Sequence, residues 1–296
     1  MKIVAITCSR YRAFKDPVFL ELRPITLIIG KNGSGKSVLT RLPLIMADAI
    51  KSDAEGVLSL TAGDIEHAAS FEDLVNKRSA LPFTLGVAIQ QDENLYKTKT
   101  TIRHIPETKS LIVEAFEILK NEEIFMTIKI TNEEQLLSEI PSYDIVYQNK
   151  PAITANIQFR GIIPTLESMP QNYSDVLTTI LLPLKAAFPS PSYLGPFRDE
   201  PERYMRVPNQ KIRKLGPRGE HTLSVLADDK LRNKGALSLE VENWFTSSLG
   251  QSVSVDVTGE QPRVSVINDG LTLGISDTGV GFSQCLPIVV QHLGRR

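Results

Sequence analysis

Cysteine is scarce: Cys8 and Cys285 are the only two in 296 residues. Two are too few for a disulfide framework, and neither belongs to a Cys/His cluster with zinc-ligand spacing. A stapled secreted fold and a zinc module are thereby excluded, and a reducing cytoplasm fits best. Long apolar runs are missing too. The opening MKIVAITCSRYRAFK holds only the short run Ile3 to Ile6 before polar and basic residues, too little for a signal-peptide core. No uncharged apolar stretch approaches the roughly 18 residues of a membrane span. An excess of one charge is also lacking: 33 Lys and Arg stand against 34 Asp and Glu, a net charge of -1. Bulk charge therefore gives no pull toward nucleic acid or an anionic membrane, and contact with either would need a local patch. The expectation is a cytoplasmic protein with no membrane partner, without internal repeats or low-complexity tracts.

What is present reads as an ordinary folded protein. Hydrophobic residues make up 42% and charged residues 23%, and the length suits one large domain or a domain with a subdomain. Residues 2–29 contain three β-rich runs, KIVAIT, VFLEL and ITLII, parted by Asp16-Pro17 and Arg23-Pro24. From Ser37 to Ile50, Val38, Leu39, Leu42, Ile45, Met46 and Ala49 recur at the spacing of one helical face, with Pro43 set to bend the helix. A second helical pattern covers about 66–78. FTLGVAI, KTKTTIRHI, SLIVEAF, IFMTIKI and YDIVY then predict an antiparallel meander. Helix is expected at 174–188, a short strand at 192–195 and helices near 221–230 and 237–249. Three strands, VSVDV, RVSVI and LTLGI, and a helix starting near Ser283 complete the pattern.

Residues 30–37 read G-K-N-G-S-G-K-S and satisfy G-x-x-x-x-G-K-[ST]. Glycines allow the positive φ angles that turn successive amides inward around a β-phosphate. Gly30, Lys31, Asn32, Gly33, Ser34 and Gly35 would form that cradle. Lys36 would neutralise the β- and γ-phosphates and Ser37 would bind Mg²⁺. Val38 opens the following helix, whose N-terminus adds partial positive charge. The rival reading, a glycine turn that matches by accident, is disfavoured because ITLII precedes the loop and a helix pattern follows it, as the mechanism requires. ATP and Mg²⁺ are the expected ligands.

The opening KIVAITCSRYRAFKDPVFLELRPITLIIGKNGSGKS resembles the start of SMC, RecF-like and OLD-family ATPases. HAASFEDLVNKR, SYLGPFRDEPERYMR and ISDTGVGFSQCLPIVVQ resemble blocks of bacterial "AAA family" ATPases related to OLD nucleases. The resemblance implies an α/β P-loop fold of the ABC/SMC-head type with an inserted antiparallel β subdomain. One head would span 1–296, with its core at 1–62 and 190–296 and the insertion at 63–189. It further implies that Gly281, Ser283 and Gln284 form an ABC-like signature that meets the nucleotide of a second subunit, hence a homodimer closed by ATP. A glycine turn with an N-capping serine remains the alternative. Arg198 resembles a Q-loop residue that senses magnesium and the γ-phosphate, against a loop salt bridge to Asp199 or Glu202. Arg12 resembles an arginine that touches ATP, with Tyr11 or Phe14 near the adenine. Seven basic residues, Arg198, Arg203, Arg206, Lys211, Arg213, Lys214 and Arg218, face three acids, Asp199, Glu200 and Glu202. This stretch reads either as a contact to a DNA backbone or as a solvated loop.

In that class a strand ending in acidic residues, the Walker B element, follows the signature and supplies the general base. No such strand fits between Cys285 and Arg296, and LGVAIQQDE is rejected because it precedes the signature and belongs to the meander. The expectation is a truncated gene product, a fragment, or a split ATPase completed by another chain. Two functions follow: an ATP-hydrolysing switch that controls a partner nuclease or DNA-processing effector, of the kind found in phage defence, or a nucleotide-binding module that does not turn ATP over. A P-loop kinase and a nuclease within this chain are both disfavoured.

Overall fold

The computed structural model describes residues 1–51, 56–62, 65–148, 150–199, 212, 214–258, 261–268 and 270–294. They form a mixed α/β protein with a large antiparallel sheet and five α-helices. Two compact units divide it, Met1–Pro191 and Ser192–Arg296.

The first unit opens with β1 (Lys2–Ser9), β2 (Val18–Glu21) and α1 (Lys36–Lys51), followed by the small hairpin β3 (Thr61–Ala62) and β4 (Ile65–Glu66). The meander is β5 (Phe83–Gln91), β6 (Asn94–Ile105), β7 (Ser110–Lys120), β8 (Glu123–Ile130), β9 (Ser142–Tyr147) and β10 (Ile153–Asn156). After the short pair β11 (Phe159–Arg160) and β12 (Ile163–Pro164), α2 (Gln171–Ala187) closes the unit. Eight strands make one sheet in the order β10-β9-β8-β7-β6-β5-β1-β2. The meander is thus continuous with the N-terminal strands. Alternation decides which residues face the core. In β6, Thr98, Thr100 and Ile102 are buried, while Lys97, Lys99 and Arg103 on the other face pair with Glu122, Glu117 and Glu114.

Helix α1 packs into the core through Leu42, Ile45, Met46 and Ile50, each at most 1% exposed; each such side chain contributes about 2 kcal/mol. The 161–162 turn receives its C-terminal end. Ile162 N donates to Ala49 O at 3.1 Å, and Gly161, at φ +63°, leaves no room for a side chain because a Cβ would stand 1.7 Å from that carbonyl.

The second unit packs α3 (Thr222–Arg232) and α4 (Ala236–Leu249) with the sheet β13 (Ser252–Thr258), β14 (Gln261–Asn268) and β15 (Leu271–Gly274), and adds α5 (Val280–Leu293). Leu226, Val241, Phe245, Val253, Val264, Leu286 and Val290 form its core. Buried Asp229 accepts from Ser238 N at 2.8 Å and Ser238 Oγ at 2.9 Å, satisfying an amide at the start of α4.

Four expectations are corrected. Residues 25–29 lie outside any strand, with Ile25, Leu27 and Ile29 89%, 78% and 83% exposed. Both edges of β1 are taken, by β2 and β5. Thr26 Oγ1 also bonds back to Glu21 O and Arg23 N, which turns the chain off the sheet. The helix expected at 66–78 is instead two 3₁₀ turns, Glu72–Leu74 and Asn76–Arg78. Its backbone is claimed by the turn after β1: Arg12 N donates to Leu74 O, Asn76 N to Arg10 O, and Tyr11 bridges Val75. No strand forms at 192–195, where Gly195 N donates to Pro217 O. Helix α5 begins at Val280, three residues before the serine taken as its start.

Candidate functional site

The loop 30–35 leads into α1 at Lys36, and its shape depends on glycine. Gly33 and Gly35 sit at φ +79° and +91°. A Cβ on Gly30 would meet Ser34 Oγ at 2.7 Å, and one on Gly35 would meet Phe14 Cζ at 2.6 Å and Ala13 Cβ at 3.1 Å. The turn after β1 therefore packs directly against the loop. Among the described residues, nothing accepts from the amides of Gly33, Gly35, Lys36 and Ser37. Four free N–H groups at a helix N-terminus form an anion-binding concavity. Lys36 folds over it, Nζ donating at 2.7 Å to both Gly30 O and Lys31 O. The glycine cradle, the inward lysine and exposed Ser37 fit a nucleotide polyphosphate with Mg²⁺.

With this geometry in view, the profile of the AAA ATPase domain family matches residues 1–158, more than half of the chain. The chain belongs to the AAA ATPase domain family. The matched part of this AAA ATPase domain holds the loop, α1, the turn after β1 and the meander through β10. Nucleotide binding is the activity the family brings. No curated protein matches the chain. Among the described residues, no helix is long and apolar enough to cross a membrane.

The turn after β1 brings two of the expected residues close to the loop. Arg12, at φ +49°, is fixed by Arg12 N to Leu74 O at 2.9 Å and by Asn76 Nδ2 to Arg12 O at 2.6 Å. Its guanidinium donates to His67 O. Phe14 is partly buried against Gly35, whereas Tyr11 is 2% exposed and packs on Phe83 at 5.8 Å, inside the core and away from any base. Sequence reading missed His67 and Arg41. His67 is 5% exposed, and burial, then the Arg41 and Arg12 charges, hold its ring down at about 4. Arg41, one turn beyond Ser37 on α1, donates to Glu66 O at 3.4 Å. The signal for Arg41 was its spacing of four from Ser37; nothing in the sequence marked His67.

In the AAA ATPase domain's second unit, Arg198 and Gln284 meet. Arg198 Nη1 donates to Gln284 Oε1 at 3.3 Å and Gln284 Nε2 to Arg198 O at 3.4 Å. Asp199 pairs with Arg218 at 3.5 Å, both well exposed. Ser283 is 7% exposed and its hydroxyl donates to Val280 O at 2.9 Å, inside the first turn of α5. Gly281 is exposed with open space at its Cβ position, and Val280 beside it is 70% exposed. Glu200, Glu202, Arg203, Arg206, Lys211 and Arg213 of the expected basic loop lie outside the described residues.

Proposed function

We propose that this chain is an ATP- and Mg²⁺-binding ATPase head of the ABC/SMC type, related to OLD-family ATPases. Two copies close around nucleotide and control a partner effector that cuts or processes DNA, as in antiviral defence. The observation that carries the reading is the loop itself: four free amides at the start of α1 with Lys36 folded across them. Lys36 holds the β- and γ-phosphates, Ser37 coordinates the metal, and the nucleotide supplies the reactive phosphoanhydride. For dimerisation, the support is the exposed start of α5, Val280 and Gly281, beside an Arg198 fixed by Gln284. Calorimetry with MgATP, run alongside phosphate release on the same sample with Lys36→Ala as control, tests it. Binding and turnover lost together in the variant support the ATPase; wild-type binding without turnover does not.

A second reading is a nucleotide-sensing module that does not hydrolyse ATP, completed by another chain or acting as a regulator. It is favoured by the fact that, among the described residues, no three His, Cys, Asp or Glu side chains group as a metal site. Magnesium would then rest on Ser37 and the nucleotide's phosphates, as Mg²⁺ sites with few protein ligands do. Sedimentation with and without MgATP separates the two, since only the switch requires nucleotide-driven dimers.

A further inference from the structure

His67 is buried on the flank of the P-loop, and among the described residues its Nε2 has no hydrogen-bond partner. Such an enclosed and unsatisfied group costs about 1–3 kcal/mol. The ring is faced by two cations from two different elements, Arg12 from the turn after β1 and Arg41 from α1. Backbone carbonyls hold both: His67 O takes Arg12, and Glu66 O takes Arg41. The backbone of Arg12 is locked in a left-handed conformation by two bonds from the 74–76 segment. That conformation is costly for a side-chain-bearing residue, and it aims the guanidinium. Ala13 and Phe14, next in the chain, touch the position of a Gly35 Cβ, so the cluster adjoins the phosphate loop.

A neutral ring N–H and two guanidiniums, gathered beside an anion-binding loop, lack one thing: a negatively charged oxygen. We propose that Arg12 and the Nε2 of His67 form a phosphate subsite beside the P-loop, with Arg41 adding its field. Arg12 exchanges the His67 carbonyl for the anion, and this movement admits a phosphoryl oxygen to Nε2. The oxygen comes either from the sugar-proximal phosphate of a nucleotide in the loop or from a separate phosphate group. Only the first source rests on the nucleotide reading above.

The test follows the His67 ring in the intact protein by ¹H–¹³C NMR while three ligands are added. MgATP is expected to move the ring resonances and raise the ring's titration midpoint. Magnesium pyrophosphate, which fills the loop without a sugar-proximal phosphate, is expected to leave them in place. Arg12→Gln and His67→Phe are each expected to weaken MgATP binding about 5- to 10-fold, with little effect on pyrophosphate, and His67→Gln recovers part of the loss through its amide N–H. Should inorganic phosphate move the ring on top of pyrophosphate, the subsite stands and its source is a separate phosphate. Should neither MgATP nor millimolar phosphate move it while Lys36-dependent MgATP binding is intact, the subsite is refuted. If MgATP binding itself is absent, the nucleotide reading fails, and the phosphate titration alone decides the subsite.

Discussion

Replacing Gly35 with alanine tests whether the loop's shape is what binds nucleotide. Gly35 holds φ +91°, where a side-chain-bearing residue pays about 1–2 kcal/mol. The new methyl would also stand 2.6 Å from Phe14 Cζ and 3.1 Å from Ala13 Cβ, an overpacking worth about 1–3 kcal/mol. Because loop residues 30–34 are exposed, the ligand-free protein relieves that strain by relaxing the loop, and MgATP must then restore it. The loss therefore appears in affinity, at about 2–4 kcal/mol or roughly 30- to 700-fold, while thermal unfolding is nearly unchanged. Adding Phe14→Ala removes the aromatic part of the clash but not the backbone part, so the double variant should regain affinity to within about 5- to 30-fold of wild type. Calorimetric titration of wild type, both single variants and the double variant measures each corner. Equal affinity of Gly35→Ala and wild type, or no recovery in the double variant, would refute the argument.

Lys36→Ala removes the charge that bridges Gly30 O and Lys31 O, and MgATP affinity is expected to fall about 100-fold; unchanged binding would mean the loop is not the nucleotide site. Gly161→Ala pushes a methyl into Ala49 O from a φ of +63° and is expected to cost about 2–4 kcal/mol of stability in urea unfolding, with a loss under about 0.5 kcal/mol counting against it. The His67 ring, held at about 4 against an ordinary 6.5, binds its proton more readily in the unfolded chain. Stability is thus complete above pH 6.5 and falls as pH drops toward 4, by up to about 3 kcal/mol. A His67→Gln variant should show a flatter profile across that window, and an identical slope would remove His67 from the account.

The strands of the meander were legible because each is bounded by turn residues and rich in β-branched and aromatic side chains, from Phe83 to Tyr147. The phosphate loop was legible because its chemistry is local. The helix expected at 66–78 failed because its amides and carbonyls bond to a turn some 60 residues earlier, around Arg10 and Arg12, a partner no local pattern contains. ITLII is as apolar as a strand covered on both faces, yet pairing depends on a free neighbouring edge, and β1 offers none. Of the site, only the partners that chain geometry supplies were hidden: His67 and Arg41 gain their significance from Arg12 alone.

The sheet order also dictates a sequence of assembly. From β5 to β9 every neighbour in space is the next strand along the chain, joined by a short turn. These hairpins can close on a local basis. β1 must instead reach β5 across more than 70 residues, from Ser9 to Thr84, at about 2–3 kcal/mol more closure entropy than a tight hairpin. Docking of β1 is accordingly the slow, late step, in line with the dependence of folding rate on non-local contacts. Arg12, Phe14 and the ordered flank of the P-loop arrive with it. An emerging chain therefore builds its meander before it owns a place for ATP, and the nucleotide, by binding only the closed form, pulls the final step to completion.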